Sequence, residues 1–93
     1  QKEVRDGTGF VGEVRRLPVE AQRKLGRLLE ILGVDAFDAR LHTKPLAPPL
    51  QGMFSFRITR DWRIGFTFSG EHTVHLLIAD HRRNIYKRLA RLR

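Results

Sequence analysis

At 93 residues the chain makes one domain, 1–93, with no room for a second. Apolar residues are 41% of it, enough for one modest core, and the lack of cysteine excludes disulfides, thiolate metal sites and a cysteine nucleophile. Eighteen Lys and Arg against ten Asp and Glu leave a net charge of +8, which favours a polyanionic partner: RNA, DNA, an acidic protein or a membrane surface.

The elements follow in chain order. Residues 2–8 predict a short edge strand with Val4 as its one strong β former. Phe10, Val14 and Leu17 fall at i, i+4 and i+7, one face of a short helix. Pro18 interrupts it and is placed to open a second helix. There Ala21, Leu25, Leu28, Leu29 and Leu32 make an apolar stripe, Arg23, Lys24, Arg27 and Glu30 face water, and Gly33 is expected as the C-terminal cap. Asp35 to Arg40 adds a helical turn. A loop with Pro45, Pro48, Pro49 and Gly52 comes next, pinned to the core by Leu41, Leu46 and Leu50.

From Met53 the apolar period becomes two. Phe54, Phe56 and Ile58, then Trp62, Ile64, Phe66 and Phe68, then Val74, Leu76 and Ile78 each alternate with other residues. They predict three strands of an antiparallel meander. From Arg82 onward, Ile85, Leu89 and Leu92 at helical spacing read as a short basic C-terminal helix. The fold class is α+β: an N-terminal helical hairpin on one face of a small antiparallel sheet, the opposite face open.

Register gathers charge. Ile58 and Trp62 both belong to the core face, so a three-residue turn, Thr59 to Asp61, sets Arg57 opposite Arg63. Like charges in direct cross-strand pairing repel, and a chain that keeps the pair can use it to hold an anion. Solvated arginines salt-bridged to acids are the bland alternative. If Phe68 pairs with Val74, then Ile64 pairs with Ile78, Arg63 with Ala79, and His81 falls on the same open face. Arg57, Arg63 and His81 then converge, with Arg82, Arg83 and Tyr86 just beyond and His42 and Lys44 approaching from the side.

That set suits RNA cleavage. A histidine moves protons near neutral pH, arginines steady charge building on phosphoryl oxygens, and Tyr86 can stack on a base or share a proton. The candidate catalytic residues are Lys44, Arg57, His81 and Tyr86, and the candidate phosphate contacts are Arg60, Arg63, Arg82, Arg83 and Lys87. From Arg82 to Arg93 there is no acidic residue, which favours phosphate contact over a merely solvated helix. His81 capping a strand end, Tyr86 packing beside Ile85, Trp62 in the core and Asp61 in a turn are the competing structural roles. His42, His72, His75 and His81 form no zinc motif, and no metal or cofactor is expected.

The stretches Leu41-His-Thr-Lys-Pro-Leu, Leu50-Gln-Gly-Met-Phe-Ser-Phe-Arg-Ile-Thr-Arg-Asp-Trp-Arg-Ile-Gly-Phe and Ile78-Ala-Asp-His-Arg-Arg-Asn-Ile-Tyr resemble the RelE/ParE toxin superfamily. The two-helix segment Phe10 to Leu32 looks like that family's hairpin, so the likeness covers most of the chain. The resemblance implies a microbial-RNase-like sheet and the toxin of a type II toxin–antitoxin pair. It also implies an mRNA interferase, a metal-independent endoribonuclease cutting mRNA on the ribosome, silenced by a cognate antitoxin. Carried across, Arg57 matches the strand position of a catalytic Arg or His, and Lys44 the basic loop position. His81 matches the His of the closing motif, Tyr86 its aromatic, and Asp61 and Trp62 an Asp-Trp pair near the site in one branch. Two departures stand out: Ala47-Pro48-Pro49 lengthens the loop after Lys44, putting its reach in doubt, and Leu77 is apolar on the open face, where it marks a candidate antitoxin contact. The alternatives are a ParE-like toxin inhibiting DNA gyrase and a non-catalytic antitoxin- or nucleic-acid-binding module.

No apolar run approaches bilayer-spanning length and no signal-peptide pattern opens the chain, so a cytoplasmic protein with no membrane partner is expected. The chain opens on Gln1 rather than Met, and a native N-terminus further upstream is expected.

Overall fold

The computed structural model describes residues 1–92. The elements run β1 (Glu3–Asp6), α1 (Phe10–Arg15), α2 (Val19–Val34), a 3-10 turn (Ala39–Leu41), β2 (Lys44–Pro45), β3 (Met53–Arg57), β4 (Trp62–Ser69), β5 (Thr73–His81) and α3 (Ile85–Ala90). The sheet order is β1-β5-β4-β3-β2. The meander β3-β4-β5 is antiparallel as expected, while β1 joins β5 in parallel, Val4 beside Val74. β2, two residues long, adds an unanticipated edge, with Lys44 opposite Ser55.

The hairpin α1–α2 covers one face. Phe10, Leu17, Ala21, Leu25, Ile31 and Leu32 bury against Phe56, Ile58, Ile64, Phe66, Val74 and Leu76. Pro18 is the N-cap of α2 rather than its first residue, suiting its fixed φ and missing N–H. The Gln22 amide donates to the carbonyls of Leu17 (2.8 Å) and Arg15 (3.2 Å), satisfying the end of α1. Gly33 does not cap α2, which runs to Val34 with Asp35 as its C-cap. Instead it lets the N-terminal strand approach. Its carbonyl accepts the Lys2 N–H at 2.6 Å, and a Cβ there would stand 3.4 Å from the Lys2 carbonyl oxygen.

The opposite face is not open. Leu46 and Leu50 from the proline loop, Ile78 from β5 and Ile85 and Leu89 from α3 form a second buried cluster, with Met53, Leu77 and Tyr86 packed on it. A helix of six residues is marginal alone. Ile85 and Leu89, both fully buried, stabilise its docking by roughly 1.5–3 kcal/mol each. Leu77 is thus a packed residue, not an exposed contact.

The first hairpin has the expected register, Phe56 opposite Ile64 and Arg57 opposite Arg63. The second begins as expected with Phe68 opposite Val74 and Phe66 opposite Leu76, then slips. Gly65 pairs with Ile78, Ile64 with Ala79, Arg63 with Asp80 and Trp62 with His81. Leu77 is the extra residue of a β-bulge, so Leu77 and Ile78 both turn to the α3 face while Leu76 and Ala79 face the hairpin.

Candidate functional site

The bulge decides which residues meet. Ser55, Arg57, Arg63 and Gly65 alternate away from the hairpin, toward α3. Tyr86, on the first turn of α3, lies over them. Its hydroxyl accepts a hydrogen bond from Arg63 Nη1 at 2.9 Å, and the buried Ser55 hydroxyl stands near enough to favour the phenolate. Lys44 Nζ stands 5.2 Å from the centre of the phenol ring, the geometry of a cation–π contact. The proline loop therefore does not carry Lys44 out of reach, because the β2 pairing fixes it opposite Ser55.

Two influences set the phenol's acidity. Partial burial opposes ionisation, but the nearby Ser55 hydroxyl, the hydrogen bond from Arg63 and the positive charges of Arg63 and Lys44 outweigh it, and the pKa lies below the ordinary tyrosine value. Arg63 is held with care: Nη1 is on Tyr86, Nη2 reaches the Arg60 carbonyl at 3.5 Å, and Nε is buried without a partner among the described residues. A donor left unsatisfied costs free energy, which a folding role alone would not call for.

His81 does not join this cluster. The bulge puts Asp80 across from Arg63 and turns His81 to the side of Trp62. Its ring meets the indole edge-on, centroids 5.1 Å apart, and Nδ1 accepts the Arg83 N–H at 3.1 Å. The convergence of His81 with Arg57 and Arg63 requires an unbroken ladder, and the bulge prevents it. Trp62 packs against the main core, and Asp61 pairs with Arg82 at 3.3 Å in the turn.

Arg57 and Arg63 also open onto a cleft of about 840 Å³ between the β3–β4 turn and α2. Lys24, Arg27, Arg40, Arg60 and Arg82 complete its charged wall over Leu28, Ile31 and Ile58, with His42 at the rim. Among the described residues no carboxylate lines it. Arg27, Arg40 and Arg82 are paired outward with Glu30, Asp38 and Asp61. Arg83 and Lys87 are exposed and do not line this cleft. Sequence reading missed Ser55, though it shares the alternation that selected Arg57. It also missed Lys24 and Arg27, whose spacing reads only as a solvated helix face. Among the described residues, no three His, Cys, Asp or Glu cluster to hold a metal ion, and no helix is long and apolar enough to cross a membrane.

No protein-family model and no curated protein matches the chain. Solved structures do. A chain of the toxin–antitoxin complex RelBE2 from Mycobacterium tuberculosis is 30% identical, with 87% of this chain and 91% of that one covered, at a TM-score of 0.65. The YoeB/ParE toxin from Agrobacterium tumefaciens shares the fold at 17% identity, covering 86% of this chain and 98% of that one, TM-score 0.73. The RelB–RelE antitoxin–toxin complex from Methanococcus jannaschii does so at 18% identity, 89% and 95% coverage and TM-score 0.73.

Proposed function

The chain belongs to the RelE/ParE toxin superfamily, and from that premise we propose that it is the toxin of a type II toxin–antitoxin pair, an endoribonuclease that cuts mRNA. One observation carries the reading: the Tyr86 phenol, its pKa lowered, is held between the Arg63 guanidinium and the Lys44 ammonium beside Arg57. This arrangement supplies what cleavage by the RNA's own 2′-hydroxyl requires. Tyr86 as phenolate takes the 2′-hydroxyl proton. The 2′-oxygen attacks phosphorus while Arg57 and Arg63 neutralise the phosphoryl oxygens. The bond to the 5′-oxygen breaks, and Lys44 protonates that leaving group. The products are a 2′,3′-cyclic phosphate and a 5′-hydroxyl. His81 has no proton-transfer role in this scheme.

The cleft leading from Arg57 toward α2 gives the flanking RNA a path lined by Lys24, Arg27, Arg60 and Arg82. The net charge of +8 supports both a polyanionic substrate and an acidic antitoxin segment as partners. Solved neighbours are toxin–antitoxin complexes, which supports a cognate antitoxin here. The test adds purified protein to end-labelled mRNA with and without ribosomes. Cutting only with ribosomes supports ribosome-dependent action, and cutting in both supports a free ribonuclease. Growth arrest in cells without cutting in either would favour the gyrase-inhibitor alternative.

A further inference from the structure

Tyr86 rides on a helix too short to hold its own orientation. Ile85 and Leu89 press that helix onto the sheet, but greasy contacts set depth better than rotation about the axis. The rotational restraint comes from Arg88. At 100° per residue it leaves α3 on the side away from Tyr86. Its guanidinium forks between two carboxylates on two other elements. Nη2 meets Glu13 Oε2 of α1 at 2.6 Å, and Nη1 meets Asp80 Oδ2 of β5 at 2.8 Å and Glu13 Oε1 at 3.2 Å.

Each acid is itself anchored. Glu13 Oε1 accepts the Ala79 N–H at 3.0 Å, on the stretch of β5 beyond the last β1 pairing at Leu76. Asp80 Oδ1 accepts the His81 N–H at 2.6 Å and the Asn84 side-chain amide at 3.4 Å, on the approach to α3. The three side chains are 35%, 18% and 20% exposed for Arg88, Glu13 and Asp80. A network this sheltered costs desolvation and is weak evidence for stability as such. Its geometry, a fork that only one helix rotation satisfies, is what it adds.

We propose that Glu13, Arg88 and Asp80 form a strut through the molecule that positions Tyr86 against Arg63 and Lys44, making Glu13 and Arg88 positioning residues of the RNA-cleaving site. The catalytic consequence rests on the ribonuclease reading; the positioning itself does not. Among the described residues Arg88 and Glu13 make no hydrogen bond or ion pair with Arg63 or Lys44, so they act through α3.

Tyr86 is the chain's one tyrosine and Trp62 its one tryptophan. Phenolate absorbance at 295 nm therefore titrates Tyr86 alone, and indole fluorescence reports folding separately. The decisive variants are Glu13→Gln and Arg88→Lys. Glu13→Gln removes an anion, so direct electrostatics would leave the Tyr86 pKa unchanged or lower it. Loss of positioning raises it toward the ordinary value of about 10. Arg88→Lys keeps the charge and gives up the fork. We expect both to raise the midpoint toward the ordinary phenol value, with cooperative unfolding retained and RNA cleavage down ~10- to 100-fold. Either variant, folded and titrating at or below the wild-type midpoint, overturns the strut even if cleavage falls. Should Glu13→Gln not fold, Arg88→Lys decides alone. Shifted titrations in a protein that cleaves no RNA would leave the strut standing and sink the ribonuclease reading.

Discussion

Gly65 offers a sharp test of how the second core supports the site. It faces α3, and a Cβ added to it would lie 2.7 and 2.8 Å from the two methyl carbons of Leu89 and 3.2 Å from its Cγ. Carbon atoms in contact prefer about 3.5–4.0 Å, so the overlap is roughly 0.8 Å. Leu89 cannot swing clear, because it is fully buried among Leu46, Leu50, Ile78 and Ile85. Overpacking of this kind costs about 1–3 kcal/mol. Replacing a strand glycine with alanine returns roughly 0.5–1 kcal/mol of backbone entropy. With Leu89 unable to move, the cost falls in the upper part of the overpacking range, roughly 2–3 kcal/mol, and Gly65→Ala is expected to destabilise by about 1–2.5 kcal/mol. In a domain of this size that lowers Tm by on the order of 5–15 °C. Urea unfolding followed by Trp62 fluorescence measures it. Leu89→Ala alone should cost about 2–5 kcal/mol. In the Gly65→Ala background the new methyl sits in the space Leu89 vacates, so the double variant should be more stable than additivity allows by ~1 kcal/mol or more. A Gly65→Ala protein as stable as the wild type, or a strictly additive cycle, would refute the close approach of α3 to β4.

Other outcomes follow from the same geometry. Tyr86→Phe and Arg57→Ala should each slow RNA cleavage by about 10²-fold or more without loss of folding, read from initial rates on a labelled transcript. With Tyr86 as base, the wild-type rate should rise with pH and level off below pH ~10, the ordinary phenol value, and that rise should vanish in Tyr86→Phe. Lys24→Ala/Arg27→Ala should make binding of a non-cleavable 2′-O-methyl oligonucleotide less salt-dependent, the slope of log K against log[salt] falling by ~1.4 for two lost phosphate contacts. An unchanged slope would take the RNA off α2. Burial works against ionisation of Asp80, but hydrogen bonds from Arg88, the His81 N–H and Asn84 prevail and its pKa lies below the usual carboxylate value. A depressed acid contributes stability that is present above its unfolded pKa, about 3.9, and lost as pH falls through the folded value. Asp80→Asn should thus be less stable than wild type at pH 6 and show a smaller further loss by pH 3, measured by urea midpoints.

Much of the fold was legible because its signals are local. Period-two runs announced the three long strands, the stripe Ala21 to Leu32 announced α2, and the core-face demand on Ile58 and Trp62 set Arg57 against Arg63. What stayed hidden involves partners far apart in sequence. Glu13 and Arg88 are 75 positions apart, Glu13 and Ala79 are 66, and no spacing rule links a carboxylate on a first helix to a guanidinium on a last one. The parallel pairing of β1 with β5 is of the same kind. The sequence marks Arg63 as a candidate phosphate contact and Tyr86 as a candidate catalytic residue; their hydrogen bond depends on α3 folding back over the sheet, which the apolar positions Ile85 and Leu89 hint at without saying which face they cover.

The bulge at Leu77 had left a trace in the sequence. Strict alternation through Val74, Leu76 and Ile78 sends Ile78 to the hairpin face and strands Leu77 as an exposed leucine on a surface supposed to be open. Those are one contradiction seen twice: two consecutive apolar residues in a strand each need cover, and only a sheet with one face per residue forbids giving both the same cover. An extra residue on β5 resolves it. Leu77 and Ile78 both turn to α3, and everything after them shifts by one partner. The site changes with it. Asp80 arrives opposite Arg63, where it can brace Arg88, while His81 is carried to Trp62. The same irregularity therefore removes the histidine from the arginines and installs the acid that holds the helix bearing Tyr86. In this chain a one-residue slip in a hydrogen-bond ladder decides which titratable side chain meets Arg63, not which one the sequence places nearest.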